Sequence, residues 1–170
     1  MRVIAGLCRG RRLKSVKGWN TRPTADRVKE AVFNVLGPRV IDANFLDLFA
    51  GTGNMGIEAV SRGCSLAVFV EKDRKAVQVL KDNLSNCNIM DKALIFPLDC
   101  FKALKIINKE NIKFNMIYLD PPYKTEIINE VLDHLVCLQL LHNDAIVIAE
   151  TSVDTQLALN SNKLHMVTES

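Results

Sequence analysis

The chain has 170 residues, of which 48% are hydrophobic and 24% charged, with a formal net charge of +3. A chain this long and this apolar can bury a sizeable core, which excludes general disorder, and no apolar run approaches the roughly 20 residues of a membrane-spanning helix. The charge is divided: residues 1–40 hold ten Lys and Arg against two acids, and residues 41–170 hold twelve against seventeen, a +8 arm on a −5 body.

The chain opens on Met1-Arg-Val-Ile-Ala-Gly6, too short an apolar stretch for a secretory core and soon interrupted by Arg9, Arg11 and Arg12. The expected location is therefore the cytoplasm. Short apolar and basic stretches at 2–5 and 11–14, around Gly6 and Gly10, predict a small hairpin. Its basic residues Arg2, Arg9, Arg11, Arg12 and Lys14 are candidates for contact with a polyanion such as RNA, since Lys and Arg bind phosphates by displacing counterions. The organisation expected is an arm over residues 1–22 and one folded unit over 23–170.

From Thr24 the pattern turns helical. Val28, Ala31, Val32, Val35 and Leu36 share one predicted face, opened by Pro23-Thr24 and closed by Gly37-Pro38. Strand-length apolar runs follow at 44–49, 66–70, 93–98, 115–119 and 145–149. Helical patterns stand near 56–62, 74–87, 100–109 and 125–141, the second behind Asp73 as N-cap. This alternation predicts an α/β, doubly wound, mostly parallel sheet, a Rossmann-like fold whose ligands sit at the carboxyl ends of the strands. Five cysteines at wide, irregular spacings, with no Cys-x-x-Cys pair, predict reduced thiols and no metal site.

The first strand runs into Asp47-Leu-Phe-Ala-Gly-Thr-Gly-Asn-Met-Gly56, and Glu71 closes the second strand twenty residues after Gly51. Gly51, Gly53 and Gly56 fit a dinucleotide fingerprint, so a nicotinamide-dependent oxidoreductase must be weighed. Asp47 argues against it. A carboxylate at that place repels a pyrophosphate but attracts an ammonium group. A nucleoside with an amino-acid tail satisfies every part, and S-adenosyl-L-methionine is such a ligand. The candidate cofactor residues are Asp47, Phe49, Gly51, Thr52, Gly53, Gly56, Glu71, Lys72 and Asp99, the last of which could instead cap the following helix.

The fourth strand ends in Asp120-Pro121-Pro122-Tyr123. Two prolines stiffen the turn, so the Asp120 carboxylate and the Pro121 carbonyl form a fixed pair of acceptors suited to an exocyclic amine. Tyr123 is placed to stack on a base. These four are the candidate catalytic residues.

Asp-Pro-Pro-Tyr after strand four is similar to the amino methyltransferases that act on base exocyclic nitrogens. Several further stretches resemble the RsmD-type 16S rRNA (guanine-N2) methyltransferases. These are Met1–Gly6, Arg9-Gly-Arg-Arg-Leu13, Thr21-Arg-Pro-Thr24, Asp26–Ala31, Phe33-Asn34, Asp47–Gly53, Gly56–Ala59 and Ser61-Arg-Gly63. The resemblance covers residues 1 to about 150. It implies transfer from S-adenosyl-L-methionine to a guanine amine of 16S rRNA, within the small ribosomal subunit; a monomer is expected. It also implies that Arg22, Pro23 and Thr24 border the cofactor or base pocket. The alternatives are an adenine amino methyltransferase and a non-catalytic RNA-binding assembly factor. Asn54-Met55 depart from the family's usual pair, an expected packing change. Only Lys163–Val167 could begin the family's final antiparallel hairpin, so the last strand is expected to be incomplete.

Overall fold

The computed structural model describes residues 1–16, 24–122, 125–151 and 164–165. Strand and helix alternate in the order α1 (Thr24–Leu36), β1 (Asn44–Asp47), α2 (Asn54–Ser61), β2 (Leu66–Val70) and α3 (Arg74–Cys87). They continue as β3 (Ala93–Phe96), α4 (Cys100–Lys109), β4 (Phe114–Leu119), α5 (Thr125–Cys137) and β5 (Leu141–Ala149). The strands form one sheet in the order β3-β2-β1-β4-β5, with every pairing parallel. The doubly wound prediction holds. The expected hairpin is present as a short antiparallel pairing: Arg2 bridges Arg12, Val3 N donates to the Arg11 carbonyl at 2.9 Å and Leu13 N to the Met1 carbonyl at 3.0 Å. The segment 163–167, predicted to begin a last strand, lies outside the described residues except for Leu164 and His165.

Because side chains alternate along a strand, the sheet separates two cores. Phe45, Ala67, Phe69, Met116 and Tyr118 face α1, α2 and α3; Leu46, Val68, Val70, Ile117 and Leu119 face α4 and α5. Asp73 caps α3 as predicted, its Oδ1 accepting from Lys75 N at 2.7 Å and Ala76 N at 2.9 Å.

Two predicted boundaries fail for physical reasons. The helix expected over 125–141 ends at Cys137, because Gln139 turns to φ 52° and closes it without the usual glycine. Leu141 already belongs to β5, which starts four residues before the predicted strand and carries an irregularity between Phe114 and Met116 of its partner. In α1 the predicted apolar face is turned: Val35 is 74% exposed, while Lys29, Phe33 and Leu36 are buried. The lysine reads as polar in any pattern, so it hides the stripe that faces inward.

Lys29 is buried because it meets Glu58, which is equally inaccessible. Its ammonium donates to the Arg2 carbonyl at 2.6 Å and to Asn54 Oδ1 at 2.7 Å, and lies 3.4 Å from Glu58 Oε2. Burial holds that ammonium below its ordinary pKa, while Glu58 and Asp26 pull it back up. Glu58 accepts in addition from Ile4 N at 2.8 Å, Ala5 N at 3.0 Å and Arg62 Nε at 2.8 Å. One carboxylate on α2 thus holds the arm's backbone, helix α1 and its own helix. Ser61 adds to this seam, its Oγ accepting from Cys8 N at 2.9 Å.

Removing one partner of a buried ion pair strands the other. Glu58→Ala is expected to lower unfolding free energy by about 3–5 kcal/mol in urea titration and to speed exchange of the Ile4 and Ala5 amides. Gly56 is pressed against the sheet, where an added Cβ would lie 2.3 Å from a Phe69 ring carbon. Gly56→Ala should therefore cost about 1–3 kcal/mol, and Phe69→Leu in the same chain should recover part of that loss, measured in the same titration.

Candidate active site

All the predicted site residues that the structure describes outside the arm and Thr24 gather at the carboxyl edge of the sheet. The register Asp47↔Phe69 and Asp47↔Tyr118 sets β1 between β2 and β4, so the turns after the three strands are neighbours. Asp47 ends β1 and is buried; its Oδ2 accepts from Gly56 N at 3.0 Å, in the first turn of α2. Gly53, the residue before α2, has φ 87°, and an added Cβ there would lie 2.3 Å from Leu80 Cδ1. Glycine at 53 and 56 is thus demanded by the turn and by helix packing, and the loop returns tightly over Asp47.

Glu71 follows β2 and has its carboxylate fixed by two backbone donors, Gly51 N to Oε2 and Asp73 N to Oε1, both at 2.8 Å. It stands beside the glycine loop because Ala50 N bonds the Val70 carbonyl at 2.9 Å. Thr52 is buried, and its carbonyl accepts from Asn83 Nδ2 at 3.0 Å. Phe49 is half-buried and Lys72 exposed. Asp99 caps α4, its Oδ1 accepting from Phe101 N at 3.0 Å, so the capping role weighed from the sequence is real. Asp120 and Pro122 are exposed after β4, with Pro121 buried between them. Tyr123, Arg22 and Pro23 lie outside the described residues, and Thr24 enters only as the first residue of α1.

The carboxylates of this edge act on one another. The Asp47 carboxyl is pushed up from an ordinary 3.8 to about 7, first by burial, opposed by the Gly56 amide and reinforced by the charges of Asp120 and Glu71. Between those two values the folded chain holds a proton that the unfolded chain has released, so Asp47 costs stability as pH rises through that window. A cation beside Asp47 would relieve that cost. Tyr118, also buried, is held protonated by its own burial and by Glu150, Asp120 and Asp47. Four carboxylates therefore converge at one end of the sheet.

The arm's basic residues Arg2, Arg9 and Arg12 are exposed. Lys14 pairs with Asp82 of α3 at 3.2 Å, and the Arg11 guanidinium donates to the Asn86 carbonyl. Asn83 joins arm to loop: its Nδ2 donates both to the Lys14 carbonyl, at 3.0 Å, and to the Thr52 carbonyl, while its Oδ1 accepts from Lys14 N at 2.8 Å.

Sequence reasoning missed Lys29, Glu58, Asn83, Tyr118 and Glu150. The first three are polar groups that helical periodicity treats as outward-facing. Glu150 did carry a signal, since it follows its strand as Glu71 and Asp120 follow theirs.

Comparison with known proteins gives the family and the fold. The family model described as conserved hypothetical protein 95 matches residues 1–170. YlbH of Bacillus subtilis is 42% identical over 157 residues, covering 92% of this chain and 85% of that protein. Ribosomal RNA small subunit methyltransferase D of Escherichia coli is 32% identical over 157 residues, covering 92% and 77%. Among solved structures, the Escherichia coli protein yhhF superposes with a TM-score of 0.83 at 34% identity, covering 93% of this chain and 84% of that one. The chain belongs to the family described as conserved hypothetical protein 95, the RsmD family.

Proposed function

We propose that this protein is an S-adenosyl-L-methionine-dependent methyltransferase acting on the exocyclic N2 amine of a guanine in small-subunit rRNA. The observation that carries the reading is the buried Asp47 carboxyl beneath the glycine loop, flanked by Glu71 and Asp120. A relative named for methyl transfer to small-subunit rRNA supports the substrate class, and the exposed Arg2, Arg9 and Arg12 suit an RNA backbone.

The donor set fits this cofactor. Asp47 is a desolvated carboxyl that gains from an ammonium partner. Glu71, preset by two amides, is suited to a pair of ribose hydroxyls. A nicotinamide dinucleotide would bring its pyrophosphate towards Asp47 and is the poorer fit. Bound there, S-adenosyl-L-methionine supplies an electrophilic methyl group. The Asp120 carboxylate and the Pro121 carbonyl each accept a hydrogen bond from one N–H of the base amine, which localises the nitrogen lone pair and aims it. Tyr123 stacks the base. The gain is orientation and preorganised charge rather than proton abstraction by a strong base.

Incubation with methyl-labelled cofactor and small subunits lacking the modification, followed by nucleoside mass spectrometry, tests the whole reading. N2-methylguanosine is the expected product. Calorimetry tests the cofactor site: because the ammonium group favours ionised Asp47, affinity for S-adenosylhomocysteine should rise with pH between about 6 and 7. Asp47→Asn should flatten that dependence. Asp120→Ala is expected to bind S-adenosylhomocysteine within about twofold of the parent while transfer falls at least about a hundredfold, as for loss of a transition-state donor or acceptor.

A further inference from the structure

Glu150 has no part in the machinery just described, yet it stands next to it. β5 pairs with β4 in the register Leu119↔Ala149, and Glu150 N donates to the Leu119 carbonyl at 2.8 Å. The residues that follow, Asp120 and Glu150, therefore leave adjacent strands side by side, at the roughly 4.8 Å spacing of a sheet. Alternation assigns them the face that carries Tyr118 and Ile148, towards the α1–α3 side where Asp47 lies. The Glu150 carboxylate is half-buried and held in place, because the buried Tyr118 hydroxyl donates to its Oε1. Among the described residues, no hydrogen bond reaches Oε2.

A second, fixed carboxylate beside the amine-binding Asp120 constrains which base can occupy the site. Three bases carry an exocyclic amine. In adenine and cytosine the Watson–Crick ring nitrogen next to that amine is an acceptor, which a carboxylate repels. In guanine alone it is a donor, N1–H, so guanine offers two adjacent groups of N–H donors to two adjacent acceptors. We propose that Glu150 is a specificity-determining residue, its Oε2 accepting guanine N1–H while Asp120 holds the N2 amine. Tyr118 is the positioning residue that aims it. This inference rests on the methyl-transfer reading above and adds to it the group that distinguishes guanine from other amine-bearing bases.

The test compares two bases that differ at N1. Once mass spectrometry has located the modified nucleotide, ligated 16S rRNA carrying guanine or 2-aminopurine there is assembled into small subunits. 2-Aminopurine keeps the C2 amine but has an acceptor at N1. The parent protein should prefer guanine by about 10- to 100-fold in kcat/KM. In Glu150→Gln the amide can still accept from Tyr118 while offering donors to the base. Its preference should shrink at least about tenfold, with S-adenosylhomocysteine affinity unchanged by calorimetry. A purely structural Glu150 would lower transfer to both substrates together, so an unchanged ratio overturns the assignment. If the parent protein forms no N2-methylguanosine at all, both the underlying reading and this one fail.

Discussion

The buried Glu58 carboxylate is the constraint on which the remaining structure depends. A charge withdrawn from water must be matched by donors, and this one is matched by Lys29, Arg62 and the amides of Ile4 and Ala5. Those donors come from helix α1, from α2 and from the arm. The first turn of α2 also supplies the amide that Asp47 accepts, and its first residue, Asn54, accepts from Lys29. The placement of the basic arm and the shape of the glycine loop are therefore settled by one electrostatic arrangement. Asn83 repeats the connection from α3, between the Lys14 backbone and the Thr52 carbonyl. The basic arm is in this way fastened at two points to the glycine loop.

The opposite electrostatic situation prevails at the carboxyl edge of the sheet. Asp47, Glu71, Asp120 and Glu150 end or follow four of the five parallel strands. Burial, with the charges of Asp120 and Glu71 adding to it, raises the Asp47 carboxyl to about 7, and burial together with Glu150 keeps Tyr118 protonated. Such an arrangement works against folding and in favour of positively charged or N–H-rich ligands. An ammonium group, ribose hydroxyls and a base edge rich in N–H donors, the ligands proposed above, would each meet an acceptor there. The two halves of the molecule thus differ: paired charge holds the arm and helices, and clustered carboxylates stand at the carboxyl edge of the sheet.

The alternation of strands and helices was legible because it follows from hydrophobic periodicity, and the sheet's parallel, doubly wound arrangement follows from the chirality of βαβ units. The position of Asp47, the glycine loop, Glu71 and Asp120 at strand ends was legible because each ends or follows an apolar run of strand length. The misread face of α1 has the opposite cause: Lys29 is interior only because Glu58, far away in sequence, is there to receive it. The end of α5 was overrun because Gln139 adopts a left-handed conformation that glycine usually signals.

By itself, then, the sequence determined the order of elements, the glycine loop after the first strand and the rigid Asp-Pro-Pro turn, all of which depend on neighbours within a few residues. Only the tertiary structure decided that Lys29 and Glu58 join arm to core, that Gly56 is glycine because Phe69 lies against it, and that Glu150 stands beside Asp120. These depend on which distant groups meet. Burial converts such meetings from weak surface contacts into requirements, because a polar group away from water must find its partner across the fold.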